Sequence, residues 1–388
     1  MKENSRKWRK PSFFLLTLGV LYTNVFYRWK YHINIDKSGI RDLHGPAVVL
    51  SPHLSNYDHM LLGMTLYPHR PTFVLSEHFM ANRFLRPILH MMGCISKKMF
   101  SPDSGTILHI LRAARSGCIL IMFPEGRLPC IPVSDYVAPG TAELVKKLGV
   151  PVYTVTANGA AMTHPKWAEK QRHGKITVET KKILDEDALK AMSVSEIGGV
   201  LQASLAHNDE TATAGVRFAV SDTTAGLCKI LYRCPSCGAS YSLREEKNGV
   251  RCENCGMTAV LDEYGKFKGA PVATVTEWYR AQGEAMDLSV PLTAEVTVHA
   301  MNEKRYLVKK AGAGKITLDR ETFSFCGTVF GKPLEFAAET EKIGAFPISV
   351  GKWFDFYHEG RLHCFAPKDG RRTVAFVQFL DECHRRKL

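Results

Sequence analysis

Between residues 47 and about 178, short apolar runs alternate with stretches in which apolar positions recur at helical spacing, the pattern of an α/β layer fold. Residues 47–50 (AVVL), introduced by Gly45 and Pro46, read as a buried strand. A helical stretch over 57–66 follows and is ended by Pro68; 73–75 reads as a second strand, and 104–115 as a helix stopped by Gly117. Residues 118–123 (CILIMF), 150–155 (VPVYTV) and 176–179 supply three more strands. Strands this apolar on both faces belong inside a helix-covered sheet, and the α/β domain is expected over 32–225.

The periodicity changes beyond residue 225. A short cysteine-paired region is expected over 230–262, then a linker at 265–269, then a β-rich domain over 270–388. Within the last, 292–298, 306–308, 315–318, 321–325, 353–357 and 362–365 read as strands, with turn signals at Glu359-Gly360 and Asp369-Gly370. Residues 372–385 set Phe376, Phe379, Leu380 and Cys383 at helical spacing. Short strands followed by one amphipathic helix fit a small barrel plugged by a terminal helix, an arrangement that resembles pleckstrin-homology-like or GRAM-like domains.

Ahead of the α/β domain lies 13–26, FFLLTLGVLYTNVF. As a helix its length is about 21 Å, against a hydrocarbon core of about 30 Å, so it dips into a bilayer without crossing it. Residues 1–32 carry Lys2, Arg6, Lys7, Arg9, Lys10, Arg28 and Lys30 against Glu3 alone, a local balance of 7 − 1 = +6 out of +13 for the chain. A phosphate-bearing partner is implied, either an anionic membrane or nucleic acid. Trp8, Tyr22, Tyr27, Trp29 and Tyr31 flank or end the apolar stretch, which suits an in-plane helix at the headgroup level. Segment 1–31 is therefore expected as a membrane-surface anchor, with a core helix of the first domain as the competing reading. The first alanine is Ala47, so the small-residue cleavage site of a secretory signal is missing where it is needed.

Composition narrows the class. With 388 residues, 45% hydrophobic and 23% charged, the chain has ordinary globular usage for two or three domains, which excludes disordered and coiled-coil classes. No run nears the ~18 apolar residues of a spanning helix, which excludes a polytopic membrane protein. There are eleven cysteines, yet no credible export signal. A reducing compartment is expected, with the protein at the cytoplasmic face of a membrane, and Cys94, Cys118, Cys130, Cys228, Cys326, Cys364 and Cys383 as small buried hydrophobes.

Chemistry concentrates in two places in the first domain. In 51–58 (SPHLSNYD), His53 and Asp58 stand five apart after a strand and before a helix. On one continuous helix that spacing leaves the pair about 140° apart, so they meet only if His53 lies in the loop and Asp58 in the first helical turn. There Asp58 would hold one imidazole nitrogen and leave a lone pair on the other, making His53 a general base. The same residues fit the capping pattern S-x-x-D, in which Asp58 satisfies helix-end amides alone. The strand at 118–123 runs into Pro124-Glu125-Gly126-Arg127, placing a carboxylate, a flexible glycine and a guanidinium where open α/β sheets bind ligands. Arg127 suits phosphate and Gly126 allows close approach, although a turn with a solvated Glu-Arg pair has the same sequence.

SPHLSNYD and FPEGR together resemble the H-x-x-x-x-D and F-P-E-G blocks of the glycerolipid acyltransferases that include 1-acylglycerol-3-phosphate acyltransferase, in the family's order and spacing, with VPVYTV as its fourth block. The resemblance covers about residues 30–220. It implies transfer of an acyl group from a thioester, on coenzyme A or acyl carrier protein, to a glycerol hydroxyl of a lysophospholipid. By the same resemblance His53 is the base and Asp58 its orienter, Glu125, Gly126 and Arg127 hold the acceptor phosphate, and amides near Asn56 and Tyr57 face the oxyanion. Two departures stand out. Arg127 follows Gly126 directly, where many members have an extra residue. In the second block Lys97 and Lys98 replace an arginine, which turns a fork into a point charge.

Cys234-x-x-Cys237 and Cys252-x-x-Cys255, each followed by glycine, form the other strong pattern. Four thiolates at this spacing close a tetrahedron around zinc with no open position, which implies a structural zinc ribbon; a rubredoxin-like iron shares the geometry. An alternative function is a nucleic-acid- or lipid-binding scaffold on an inactive acyltransferase fold. Within 234–255, however, Arg244, Lys247 and Arg251 are cancelled by Glu245, Glu246 and Glu253, so no nucleic-acid partner is expected. An inactive fold is disfavoured because His53, Asp58 and Glu125 are all present.

Overall fold

The computed structural model describes residues 8–101, 103–138 and 140–386; Lys2, Glu3, Arg6 and Lys7 of the expected anchor lie outside the described residues. The chain divides into two compact units, one built from the chain up to His164 and from His173–Val216, the other from Pro165–Arg172 and Arg217 onward.

The first unit is organised by seven strands: β1 (Asn34–Ile35), β2 (Ala47–Leu50), β3 (Thr72–Ser76), β4 (Ile95–Lys97), β5 (Ile119–Met122), β6 (Val152–Asn158) and β7 (Thr177–Leu184), in the order β1-β7-β6-β2-β5-β3-β4. Strands β6, β2, β5, β3 and β4 are parallel, so their C-terminal ends open on one edge. Strand β7 is antiparallel to β6, and β1 is parallel to β7.

Side chains alternate across the central strands. Val48, Leu50, Leu120 and Met122 enter one core with Ile110 and Ala113 of helix Ser104–Arg115, Val145 of helix Gly140–Leu148 and Leu201 of helix Val194–Leu205. Ala47, Val49, Ile119 and Ile121 enter the other with Leu61, Leu62 and Leu66 of helix Asp58–Leu66. The sheet is thus covered on both faces, which is why β2 and β5 carry no polar positions.

We number the helices α1 (Phe13–Thr23), α2 (Asp58–Leu66), α3 (Glu77–Met80), α4 (Leu85–Met91) and α5 (Ser104–Arg115). Helix α1 starts at Ser12, whose hydroxyl accepts from Leu15 N–H, and runs on as a π-helical turn over Asn24–Arg28. It buries Leu16 and Thr23 while Phe14 is 74% exposed, so it shares features of both expected alternatives: one side packs on the unit and the other faces out. Strand β4 was not legible in the pattern, since three residues with Ser96 and Lys97 give no period. Strand β7 is longer than the expected 176–179: Glu179 and Lys181 are exposed on one face and the next residue, Lys182, pairs with Asp42 from the other, so its second half shows no apolar run.

The second unit contains two sheets. Strands β8 (Leu243–Glu246), β9 (Gly249–Cys252), β10 (Thr258–Leu261) and β11 (Phe267–Lys268) form the ribbon, in the order β11-β10-β9-β8. The larger sheet contains β12 (Leu292–Met301), β13 (Leu307–Leu318), β14 (Thr322–Val329), β15 (Lys332–Glu339), β16 (Ile348–Ser349), β17 (Trp353–His358) and β18 (Arg361–Pro367), in the antiparallel order β15-β14-β13-β12-β18-β17-β16.

The segments 306–308 and 315–318 are two ends of the single strand β13, not two strands. The glycines between them serve close strand approach: a Cβ on Gly312 would lie 1.9 Å from Thr328 O, and one on Gly314 2.4 Å from Cys326 O. The terminal helix spans Arg372–Arg385 as expected, and its Phe376 stacks on Phe354 of β17 at 5.6 Å.

The ribbon is not a compact unit by itself. Tyr232 OH donates to Gln378 Oε1 at 3.0 Å, Gln282 Nε2 donates to Ile230 O at 2.8 Å, and Trp278 Nε1 donates to Arg233 O at 2.8 Å. These buried bonds tie the ribbon to helices Val275–Glu284 and Arg372–Arg385.

Candidate active site

The parallel strands deliver every expected site residue of the first unit to one edge of the sheet. The chain leaves β2 at Leu50 and reaches His53 three residues on; it leaves β5 at Met122 and enters 123–127; and it leaves β4 at Lys97 itself, followed by Lys98. This is the C-terminal edge, where loops leave a rigid scaffold and their side chains can converge.

His53 and Asp58 meet as their context requires. His53 lies in the loop, Asp58 opens α2, and His53 Nδ1 is 2.9 Å from Asp58 Oδ2. The same Oδ2 accepts from Leu54 N–H at 2.8 Å and Ser55 N–H at 2.9 Å. Helix α2 begins at Asp58 with Tyr57 as its N-cap, so these amides belong to the loop, and the carboxylate fastens the loop and the imidazole through one oxygen. Asp58 is buried, whereas the His53 side chain keeps 28% of its surface exposed. With Nδ1 donating to the carboxylate, the tautomer assigned by this bond leaves the lone pair on Nε2. Phe123, the first residue past β5, stacks on the imidazole with ring centroids 4.3 Å apart and fixes its plane from one side.

Glu125 stands behind this pair. Oε1 accepts from His53 N–H at 3.1 Å and Oε2 from Asp135 N–H at 3.0 Å, in a residue only 3% exposed. Burial pushes its carboxyl up to about 8, against the two N–H donors that favour the charged form; Asp135 and Asp58 push the same way as burial. Each oxygen thus accepts from a main-chain amide, so that Glu125 joins the His53 loop to the loop at Asp135.

Arg127 is engaged as well: its Nε and Nη2 lie 2.7 and 2.6 Å from Asp135 Oδ2, and the side chain is 11% exposed. Gly126 has φ +74°, a conformation in which other residues are strained, and a Cβ there would meet Phe100 Cζ at 3.0 Å. Lys98 is anchored through its backbone, its N–H donating to Asp103 Oδ2 at 3.1 Å. Tyr57 N–H donates to Ser55 Oγ at 3.2 Å, so of the two expected oxyanion donors it is already used. Asp135 and Phe123 are the members that sequence reasoning missed. Asp135 sits in a loop without periodicity, and Phe123 reads as the last residue of an apolar strand.

The four cysteines of the ribbon also converge. The Sγ atoms of Cys234 and Cys255 are 3.8 Å apart, as are those of Cys237 and Cys252, and all four lie within 4.8 Å of one another. A tetrahedral zinc with bonds of about 2.3 Å sets its sulfurs about 3.8 Å apart, so the donor set fits that ion. Each knuckle closes the same way: Gly238 N–H donates to Cys234 O at 3.0 Å and Gly256 N–H to Cys252 O at 2.9 Å, with φ of +72° and +75° at the glycines. Asn254 Nδ2 donates to Cys237 Sγ at 3.4 Å, a contact suited to a thiolate. All eleven cysteines are free of disulfides.

With this geometry in place, the class can be stated. Residues 32–158 match the family model described as acyltransferase, a segment that runs from β1 through β6 and contains His53, Asp58, Lys97, Lys98, Glu125, Gly126 and Arg127. The matched segment lies wholly within the first unit. Among solved structures, the chain is similar to the 1-acyl-sn-glycerophosphate (LPA) acyltransferase PlsC from Thermotoga maritima. Sequence identity is 16% and the TM-score 0.41, over 49% of this chain and 78% of that one.

Proposed function

We propose that the protein transfers a fatty acyl group from a thioester, on coenzyme A or acyl carrier protein, to the hydroxyl of a lysophospholipid of the 1-acylglycerol-3-phosphate type, as a step of phospholipid biosynthesis. The observation that carries this reading is the His53–Asp58 pair, held at 2.9 Å on the C-terminal edge of a parallel sheet, inside the segment that matches the acyltransferase model. His53 Nε2 takes the acceptor's proton as its oxygen bonds to the thioester carbonyl carbon. On collapse the carbon–sulfur bond breaks, the electron pair leaves with sulfur, and the imidazolium returns the proton to the thiolate. An ester and a free thiol result, with no covalent enzyme intermediate. Lys97 and Lys98 supply cations for the acceptor phosphate beside the Arg127–Asp135 pair, and Asn56 N–H is the nominated oxyanion donor.

The acceptor is a leaflet lipid, and helix α1 is our choice for the anchor that brings the domain to the cytoplasmic face of the membrane. Phe14, Leu18, Leu21, Val25, Phe26 and Trp29 are all exposed along it, near Arg9, Lys10, Arg28 and Lys30. Among the described residues no helix is long and apolar enough to cross a membrane. We assign Cys234, Cys237, Cys252 and Cys255 to a structural zinc, which supplies folding energy to the ribbon and no reactive position. Incubating the purified chain with labelled acyl thioesters and a panel of lysolipids tests the reading. Label is expected in the product of a phosphate-bearing monoacylglycerol. Label only in an acceptor without phosphate would overturn the substrate class.

A further inference from the structure

Helices α3 and α4 join β3 to β4, and they bury little of themselves. None of the seven residues of α4 is buried. Phe84 is 75% exposed, Phe79 53%, Ile88 47% and Met91 42%, large apolar side chains brought together within 79–91. A soluble crossover normally turns such residues inward, because each costs free energy in water roughly in proportion to its apolar area. Backbone geometry does not explain the exposure, since α4 is an ordinary helix whose end is closed by Met92 N–H donating to Ile88 O at 2.9 Å.

Two observations identify what covers this surface. The first is charge. From His78 to Pro102 the sequence holds Arg83, Arg86, Lys97 and Lys98 and not one Asp or Glu. From Trp8 to Ile35 it holds Arg9, Lys10, Arg28 and Lys30 and again no carboxylate. The one carboxylate of α3, Glu77, is buried, so the two segments with the most exposed apolar side chains in the first unit are the same two whose exposed charges are cations. A mixed-charge protein partner would not select that balance, whereas an anionic leaflet does, at about 1 kcal/mol per cation near its surface.

The second observation is continuity. Ser12 N–H, at the start of α1, donates to Met91 O at 3.0 Å, and Trp8 Nε1 donates to Gly93 O at 3.3 Å. A Cβ on Gly93 would lie 2.7 Å from Arg9 O, so the chain ahead of α1 runs tight against the end of α4. Arg70 Nε also donates to Pro11 O, at 2.6 Å.

We infer that α3–α4 is a second membrane-contact element: it lies in the surface of an anionic leaflet beside α1, its Phe79, Phe84 and Ile88 entering the headgroup–acyl boundary. This rests on the lysolipid reading given above and adds to it. Helix α3 starts directly after Ser76, the last residue of β3, on the edge that carries His53. A leaflet in contact with α3 therefore stands close to the catalytic edge, and a lysolipid reaches His53 without leaving the interface. Anchoring by α1 alone would leave that edge free to swing away from the lipid.

The test uses the full chain and vesicles of phosphatidylcholine with about a third phosphatidylglycerol. Variants F84E/I88E and F14E/L18E are compared with wild type in flotation, in size-exclusion chromatography with light scattering, and in acyl transfer to a short-chain lysolipid below its critical micelle concentration. Both double variants are expected to lose about tenfold or more in vesicle partitioning and to keep transfer to the monomeric acceptor. Loss with F14E/L18E but wild-type partitioning of F84E/I88E overturns the assignment of α3–α4 and leaves α1 as the anchor. Wild-type partitioning of both variants overturns the membrane reading itself. A wild-type dimer that F84E/I88E converts to a monomer, with partitioning unchanged, assigns the face to a second copy of the chain and also overturns the proposal.

Discussion

Glu125 links the base to the loop behind it, and its replacement by glutamine has consequences that the structure lets one work out. The unfolded carboxyl ionises near 4.5 and the folded one near 8, because burial outweighs the two N–H donors. Between those values the folded state binds the extra proton, so the contribution of Glu125 to stability falls as pH rises from about 4.5 to about 8 and levels off above. The slope within that window approaches 1.4 kcal/mol per pH unit, and the full effect is on the order of 4–5 kcal/mol as a ceiling. Glu125→Gln removes this titration. It also gives one carbonyl oxygen and one NH₂ group where two oxygens accepted from His53 and Asp135 N–H, leaving one buried amide unpaired at about 1–3 kcal/mol.

Urea unfolding followed from pH 5.5 to 8.5 is therefore expected to show the stability difference between wild type and Glu125→Gln narrowing with pH, groups other than Glu125 titrating alike in both, so that the variant's deficit shrinks or reverses toward pH 8. Turnover should drop about tenfold or more in the variant at all pH values, since the loop holding His53 is released on one side. Parallel pH–stability curves for the two proteins would refute the reasoning about burial, and unchanged turnover would refute the positioning role.

Two further outcomes can be checked directly. Asp58→Asn can still set an oxygen at the one position where Oδ2 meets the Leu54 and Ser55 amides and His53 Nδ1, but it removes the negative charge that orients and stabilises the imidazolium, so acyl transfer should fall about 10²- to 10⁴-fold with the fold intact by circular dichroism; near-normal activity would reduce Asp58 to a cap. Elemental analysis of protein purified without chelator should find one zinc per chain, lost in Cys234→Ser, and chelation should raise hydrogen exchange first over 232–261; full zinc in the variant would refute the four-thiolate site.

The central strands were legible because they are buried on both faces: 47–50 and 118–123 are apolar without a break, and their registers put β2 between β5 and β6. The His53–Asp58 pair was legible as well, since a strand, a loop of a few residues and a helix start admit one way for the two side chains to meet. What escaped was whatever depends on tertiary partners. Strand β4 has three residues and two of them are polar; β15 carries Pro333 and outward Glu335; and the glycines of β13 interrupt its pattern because their reason, the closeness of Cys326 and Thr328 of β14, is written 12 and 16 residues away. The partners of Glu125 escaped as well: they are the main-chain amides of His53 and Asp135, which no sequence pattern displays.

The central claim is that His53, oriented by Asp58, is the base of an acyl transfer to a leaflet hydroxyl. Its most direct test follows label from acyl-coenzyme A and acyl carrier protein thioesters into 1-acylglycerol-3-phosphate presented in anionic vesicles, for wild type and His53→Ala side by side. Diacylated product is expected from wild type, with a rate lower by about 10²- to 10⁴-fold in His53→Ala at unchanged zinc content and vesicle partitioning. Equal rates for the two proteins would contradict the account.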